Sequence, residues 1–584
     1  MFCVLFSVLC ILVPRGVRAQ DASPTPAPSP AASAAPASPA PAATPAPPPA
    51  ADPSGVNTGD KGAVSDAGGN SFVPASPADS DDTATKADKQ KALDEYNTQA
   101  KAEPLATKLA DSVGHLRLAT NFAWTLNTGY LVLFMQAGFA LLTCGLVRKK
   151  NAAHLMMLNF AAYVIAFIGY YAVGFAFMYG GIAPTPGAPS QLGGVPTLTS
   201  GIHIGGQLVL GTCGWFLTGP AYDSGVNVLM MFEVVFMETA GYIIVGAICE
   251  RITFGAFIIA ELFIGAVLYP IFGCWVWGGG WLSQLGATMH LGHGYVDFAG
   301  STVVHAVGGF AAMALAVVLG PRLGKYDKNG KPVAFPAHNL VFVVTGTFIL
   351  LFGWMGFNPG STLAATDLRI SVIAINTNLA AVFGSATAML YWTLRYKKPD
   401  ISMACNGMLA GLVAITAPCA FVDAPSACVI GILAGLTVCF GVVFNEQVLK
   451  VDDPCGAVSV HGYCGWLGGV CVGLFADGKY GTGWNGTGAT DYLGTKGANL
   501  LGVTGLMHGD SSQFIAQLIG STVCVVWSFG LTFIVFKVIN GIKSIRVTPD
   551  VEREGLDLPE FGAVAYPEDA ISSGFSIPDL AANG

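Results

Sequence analysis

Asp297-Phe-Ala-Gly-Ser-Thr-Val-Val-His305 returns in altered form 156 residues later as Asp453-Pro-Cys-Gly-Ala-Val-Ser-Val-His461. In both stretches an Asp opens an apolar helix and a His follows eight residues on, about two helical turns inside a segment otherwise fit only for lipid. An ionisable side chain at that depth is costly and marks a transport pathway by default. Two of them at matched places point to an internally duplicated membrane bundle with an imidazole pair in its middle.

Composition agrees. The 584 residues are 53% hydrophobic and only 11% charged, with a mean hydropathy of +0.57, against roughly 25% charged residues in a soluble domain. The 74 glycines suit helices that approach closely where lipid gives no hydrophobic drive for association. A net charge of -8 without a basic run excludes a nucleic-acid arm. The 14 cysteines lie mostly in apolar runs and no spacing fits a metal site. The sequence implies no cofactor, and nothing in it marks an enzyme.

Working outward, residues 1–19 read as a signal peptide with a short apolar run, and 20–83 as a Pro/Ala/Ser-rich and polar linker without the apolar surface to fold. Residues 84–117 form a polar external segment with patchy helical periodicity. A transmembrane domain is expected at 118–540, followed by a C-terminal tail at 541–584. The expected fold is all-α and integral to the membrane, with eleven transmembrane helices near 121–146, 154–178, 224–248, 254–276, 298–319, 338–357, 368–393, 402–420, 426–446, 456–475 and 512–539. Lys and Arg concentrate on alternate loops, at Arg148–Lys150, Arg251, Arg322–Lys331, Arg395–Lys398 and Lys543–Arg546. Those loops and the tail are therefore expected in the cytoplasm and the N-terminus outside, in a multi-pass cell-membrane protein. The histidines fall on the fifth and tenth helices, which gives two inverted five-helix repeats plus a final helix.

LVRKKNAAHLMMLNF (146–160), ERITFGAF (250–257), WGGG (277–280), DFAGSTVVH (297–305), GWMGFNPGS (353–361), DDPCGAVSVHG (452–462) and EREGLDLPEFGAVAYP (552–567) together resemble the ammonium transporter (Amt/Mep/Rh) family. The resemblance implies a conduit for ammonium and ammonia. It assigns Trp277, Ser361, Phe232 and Phe236 to cation recruitment, Phe236 and Phe357 to a gate, and His305, His461 and Trp354 to the pore. It also implies a homotrimer in the bilayer and a PII-type signal protein as a partner at the tail face.

Asp297 reads first as a helix cap, with a secondary electrostatic pull on the arriving cation; Asp453 reads as a cap alone. Glu233 and Glu238 stand five positions apart, so at most one faces the pore, and Glu238 is open between an interhelical hydrogen bond and a proton relay. Thr143 stands where other members carry Glu, and Gly456 where some carry Asp. His154, His290, His293 and His508 are read as ordinary residues in or beside loops. Three functions remain: an electrogenic ammonium transporter, an electroneutral ammonia channel, and an ammonium sensor built on the same bundle.

Overall fold

The computed structural model describes residues 77, 83–102, 104–182, 192, 198–487 and 502–568. They all lie within one compact unit, Pro47–Gly584; a second unit, Met1–Ala46, falls outside them. The signal peptide expected at 1–19, nearly all of the linker and the end of the tail are thus outside the described residues.

Helix α1 is Thr83–Ala102 and α2 is Pro104–Leu146. The apolar part of α2 begins at Ser112, so the polar segment becomes α1 and the first turns of a helix that runs on into the bundle. The following apolar helices are α3 (Lys149–Tyr179), α4 (Ser224–Ile248), α5 (Phe254–Val276), α6 (Ser301–Leu319), α7 (Leu340–Gly360), α8 (Ile370–Tyr396), α9 (Ile401–Thr416), α10 (Ala424–Leu449), α11 (Val458–Phe475) and α12 (Ser511–Ile542).

Among the described residues ten helices are long and apolar enough to cross a membrane. The exception is α9, whose 16 residues reach only about 24 Å, less than the roughly 30 Å hydrocarbon core. The span expected at 402–420 is shortened because the helix ends at Thr416, two residues before Pro418, whose ring nitrogen has no proton to continue the ladder.

The helix contacts repeat. As α2 packs on α4, so α7 packs on α9; α3 meets α5 as α8 meets α10; and α4 lies against α6 as α9 lies against α11. The two halves join where α2 crosses α7, and α12 covers α6 and α11 from outside. Burial separates the layers: 94% of the apolar window of α4 is buried but only 22% of that of α12, so the central helices are α4, α6 and α11. Their backbones come close at Gly309, where a Cβ would stand 2.1 Å from the amide nitrogen of Gly462. Only a residue without a Cβ permits that crossing.

A two-stranded antiparallel hairpin, β1 (Gly201–Ile204) and β2 (Gln207–Gly211), lies between α3 and α4 in the chain. Trp275 at the end of α5 donates its indole N–H to the Val209 carbonyl at 3.0 Å, which ties the hairpin to the bundle.

Candidate functional site

The two Asp-to-His stretches fold alike. The Asp297 carboxylate accepts the amide protons of Gly300, Ser301, Thr302 and Val303 and the Thr302 hydroxyl. Asp453 accepts those of Ala457 and Val458 at 2.9 and 2.8 Å. Both acids occupy the free donors of a helix start. Both histidines then lie in a π-helical turn, Ser301–Ala306 and Val458–Tyr463, the widened geometry that often accompanies functional positions. The turns aim the imidazoles at each other: Nδ1 of His461 and Nδ1 of His305 are 3.3 Å apart and the ring planes differ by 30°.

Aromatic rings continue from the pair toward the face opposite the tail. His305 stacks on Trp354 at 5.1 Å and on Phe357 at 5.4 Å. Trp354 is held by an indole hydrogen bond of 3.0 Å to the Thr416 hydroxyl. Phe357 in turn stacks on Phe236 with centroids 4.0 Å apart and planes 23° apart. Phe232, one turn back on α4, lies 4.6 Å from Phe236, and Trp277 meets Phe236 edge-on at 6.2 Å.

Beyond these rings opens a vestibule of about 530 Å³ lined by Phe232, Phe236, Trp277, Asp297 and Ser361 among others. Trp277 donates its indole N–H to the Asp297 carbonyl at 2.7 Å, which fixes the ring. Ser361 caps α7 and donates its hydroxyl proton to the Phe357 carbonyl at 2.8 Å, so its oxygen lone pairs remain free to accept. Asp297 also lines this space, yet its two oxygens already take five donors, which leaves it an electrostatic influence and little capacity for direct contact.

Sequence reasoning missed several neighbours. Tyr179, Tyr295, Phe298, Lys479, Tyr480 and Trp484 line the same vestibule but come from loops and helix ends with no periodic signal. Glu233 lines the vestibule, whereas Glu238 is buried on a part of α4 that lies outside that lining. Its helix neighbour Gly241 has room for no Cβ because the Glu261 carboxyl occupies that place. His154 and His293, read as ordinary loop-side residues, are fully buried; His154 packs against Phe561 of the tail at 5.5 Å. At Gly456 φ is +77° and a Cβ would stand 2.9 Å from Asn406 Nδ2, so a side chain there would be strained and would have to displace that amide.

On the opposite face a buried ion network lies beside the docked tail, whose Leu556 amide donates to Asn151 Oδ1 at 2.9 Å. Glu250 receives hydrogen bonds from Arg148 and Asn151 and pairs with Arg322 at 2.5 Å, and Arg322 also binds Asp452 at 2.8 Å. Burial alone would raise the Glu250 carboxyl, but Arg322 and Arg148 hold it at about 2. Tail helices α13 (Pro549–Glu554) and α14 (Asp557–Phe561) attach beside it. Glu552 binds the Leu323 amide and Arg546, and Asp557 accepts the amides of Ala153 and His154 at the start of α3.

Residues 123–566 match the model of the Ammonium Transporter Family. The chain belongs to this family. It is 46% identical to ammonium transporter Amt2 of Archaeoglobus fulgidus over 452 residues, covering 77% of this chain and 89% of that relative. It is 34% identical to the ammonium transporter of Bacillus subtilis over 445 residues, covering 75% and 96%. Among solved structures, one titled Sensor Amt Protein superposes with a TM-score of 0.65 at 32% identity, covering 76% of this chain and 99% of that one. Mep2 of Candida albicans superposes with a TM-score of 0.61 at 28% identity, covering 79% and 93%. This ammonium transporter family member is therefore a multi-pass membrane protein of the Amt/Mep fold.

Proposed function

We propose that the protein is an electrogenic ammonium transporter that takes up the cation in the vestibule, separates it, and passes proton and ammonia by different routes. The observation that carries this reading is the order of the parts: aromatic vestibule, Phe236–Phe357 stack, then the His305–His461 pair. A cation in the bilayer costs at least about 2.5 to 3.5 kcal/mol, and neutral ammonia avoids that cost. Trp277, Phe232 and Phe236 offer π faces worth about 2 kcal/mol to a desolvated cation, and Ser361 offers a lone pair. The stacked phenylalanines leave no hydrogen-bond partner for water, so the substrate passes them stripped. Below them the imidazoles donate, accept and relay protons near neutral pH.

In this reading the vestibule and N-terminus are external and the tail is cytoplasmic, following the alternate Lys/Arg loops. The assembly is a homotrimer with one pore per subunit, and the docked tail is where a PII-type regulator binds. The test is the current driven by an ammonium gradient in proteoliposomes. Wild type carries charge and His305→Ala does not; ammonia flux without charge establishes the electroneutral channel instead.

A second reading, an ammonium sensor, is favoured by the similarity to the structure titled Sensor Amt Protein. Saturable ammonium binding with neither current nor flux establishes it.

A further inference from the structure

Among the described residues the charged groups lining the vestibule are Glu233, Asp297 and Lys479. Their availability to an arriving cation differs. Both Asp297 oxygens are spent on five donors at the start of α6. Lys479 repels a cation, and its ammonium turns to Asp477 at 3.6 Å on a side chain that is 71% exposed. Glu233 is different: its residue is 5% exposed, and Oε2 has no hydrogen-bond partner.

A buried carboxyl oxygen without a donor is costly to leave unsatisfied. Glu233 belongs to the lining of a space built for a group with N–H donors, although Oε2 itself is covered. Glu233 is also the neighbour of Phe232 on α4, three residues before Phe236, so one helix presents both π faces and the acid. Tyr179 stands on the same lining.

We infer that Glu233 is an anionic subsite of the vestibule, which accepts an N–H of the intact ammonium ion through Oε2 while the aromatic faces hold its remaining charge. This deepens, and rests on, the reading of the vestibule as the place of ammonium uptake. Aromatic faces attract any cation of suitable size, sodium and potassium included. A carboxylate oxygen adds charge and an acceptor for one N–H of the ion, on the same lining as the Ser361 hydroxyl. Glu233 is thus an element of capture, in advance of the step at the histidines.

The experiment uses the full chain, purified in detergent, with ammonium chloride titrated against tryptophan fluorescence, for which Trp277 and Trp484 are the reporters in the vestibule. Glu233→Gln keeps the volume and removes the charge. It should raise the half-saturating ammonium concentration about tenfold, as expected for one lost charge-assisted hydrogen bond. Glu233→Asp, with its charge set back by one methylene, should fall between the two. In proteoliposomes Glu233→Gln should shift half-saturation by the same factor while the maximal current stays within about twofold, a split that a structural role would not give.

If Glu233→Gln elutes as folded protein and binds ammonium like wild type, the inference is overturned. If Glu233→Gln does not fold, wild-type affinity in Glu233→Asp overturns it and weaker binding supports it. Failure of the transport reading is distinct: wild type that binds ammonium but carries no current removes the transporter, while the comparison of binding between wild type and Glu233→Gln still decides the role of Glu233.

Discussion

Nδ1 of His305 faces Nδ1 of His461 at 3.3 Å, and this contact makes the two imidazoles chemically unlike. Only one of the facing nitrogens can carry the shared proton when both rings are neutral. The ring that donates through Nδ1 presents a bare Nε2, and the ring that accepts presents Nε2–H. A proton added at one end of the pair can therefore leave at the other after the shared proton shifts, which is what a relay requires.

From this follows the first test. His305→Ala should leave a folded protein without ammonium-driven current, because an apolar side chain breaks the relay. His461→Glu should retain flux but lose discrimination against potassium, since a fixed negative charge favours an intact cation over ammonia. Ion-substitution currents measure both. Wild-type current and selectivity in both variants would make the histidines structural.

The fixed indole of Trp277 gives a second expectation. Trp277→Leu should weaken apparent ammonium affinity and leave flux at high concentration largely in place, because only capture is lost. Ser361→Ala should do the same more mildly. Concentration series of the current separate the two parameters, and equal affinity in wild type and Trp277→Leu would return this Trp to an interfacial role.

The crossing of Gly309 on Gly462 is a prediction about stability. A methyl group 2.1 Å from the Gly462 nitrogen forces the two central helices apart, so Gly309→Ala should destabilise by about 1 to 3 kcal/mol or more. Thermal unfolding in detergent, compared with Gly541→Ala, whose Cβ meets nothing within 4 Å, checks it.

The tail network carries a pH dependence of definite sign. The Glu250 carboxyl is held at about 2, below its ordinary 4.5. Its ion pairs therefore contribute fully above pH 4.5, and that contribution is lost as pH falls toward 2. Glu250→Gln should mimic the acid end at neutral pH and cost about 3 to 5 kcal/mol, since Arg148 and Arg322 lose a buried partner. Faster proteolytic release of the tail at neutral pH would report it, and wild-type protection in Glu250→Gln would dismiss the network as the anchor.

Orientation is tested separately. A reporter fused after Gly584 should be cytoplasmic, and a protease added outside sealed cells should remove the Pro/Ala linker. An uncut linker would invert the assignment.

Chain chemistry alone determined the membrane class, the places of the helices and the matched Asp-to-His stretches, because hydrophobic length and terminal capping are local properties that a linear pattern carries. The family motifs named Trp277, Phe236, Phe357, Ser361, Trp354 and both histidines as site candidates. Tertiary structure decided what they touch. That Glu233 lines the vestibule while Glu238 is buried off that lining depends on how α4 is rotated about its axis. That Asp297 has no oxygen left for a ligand depends on the turn of backbone folding over it. The Glu250–Arg322–Asp452 cluster joins residues up to 202 positions apart, and the burial of His154 beneath Phe561 follows the return of the tail to α3. Rotation about a helix axis and contacts between distant segments leave no periodic trace in a sequence, so packing alone supplied them.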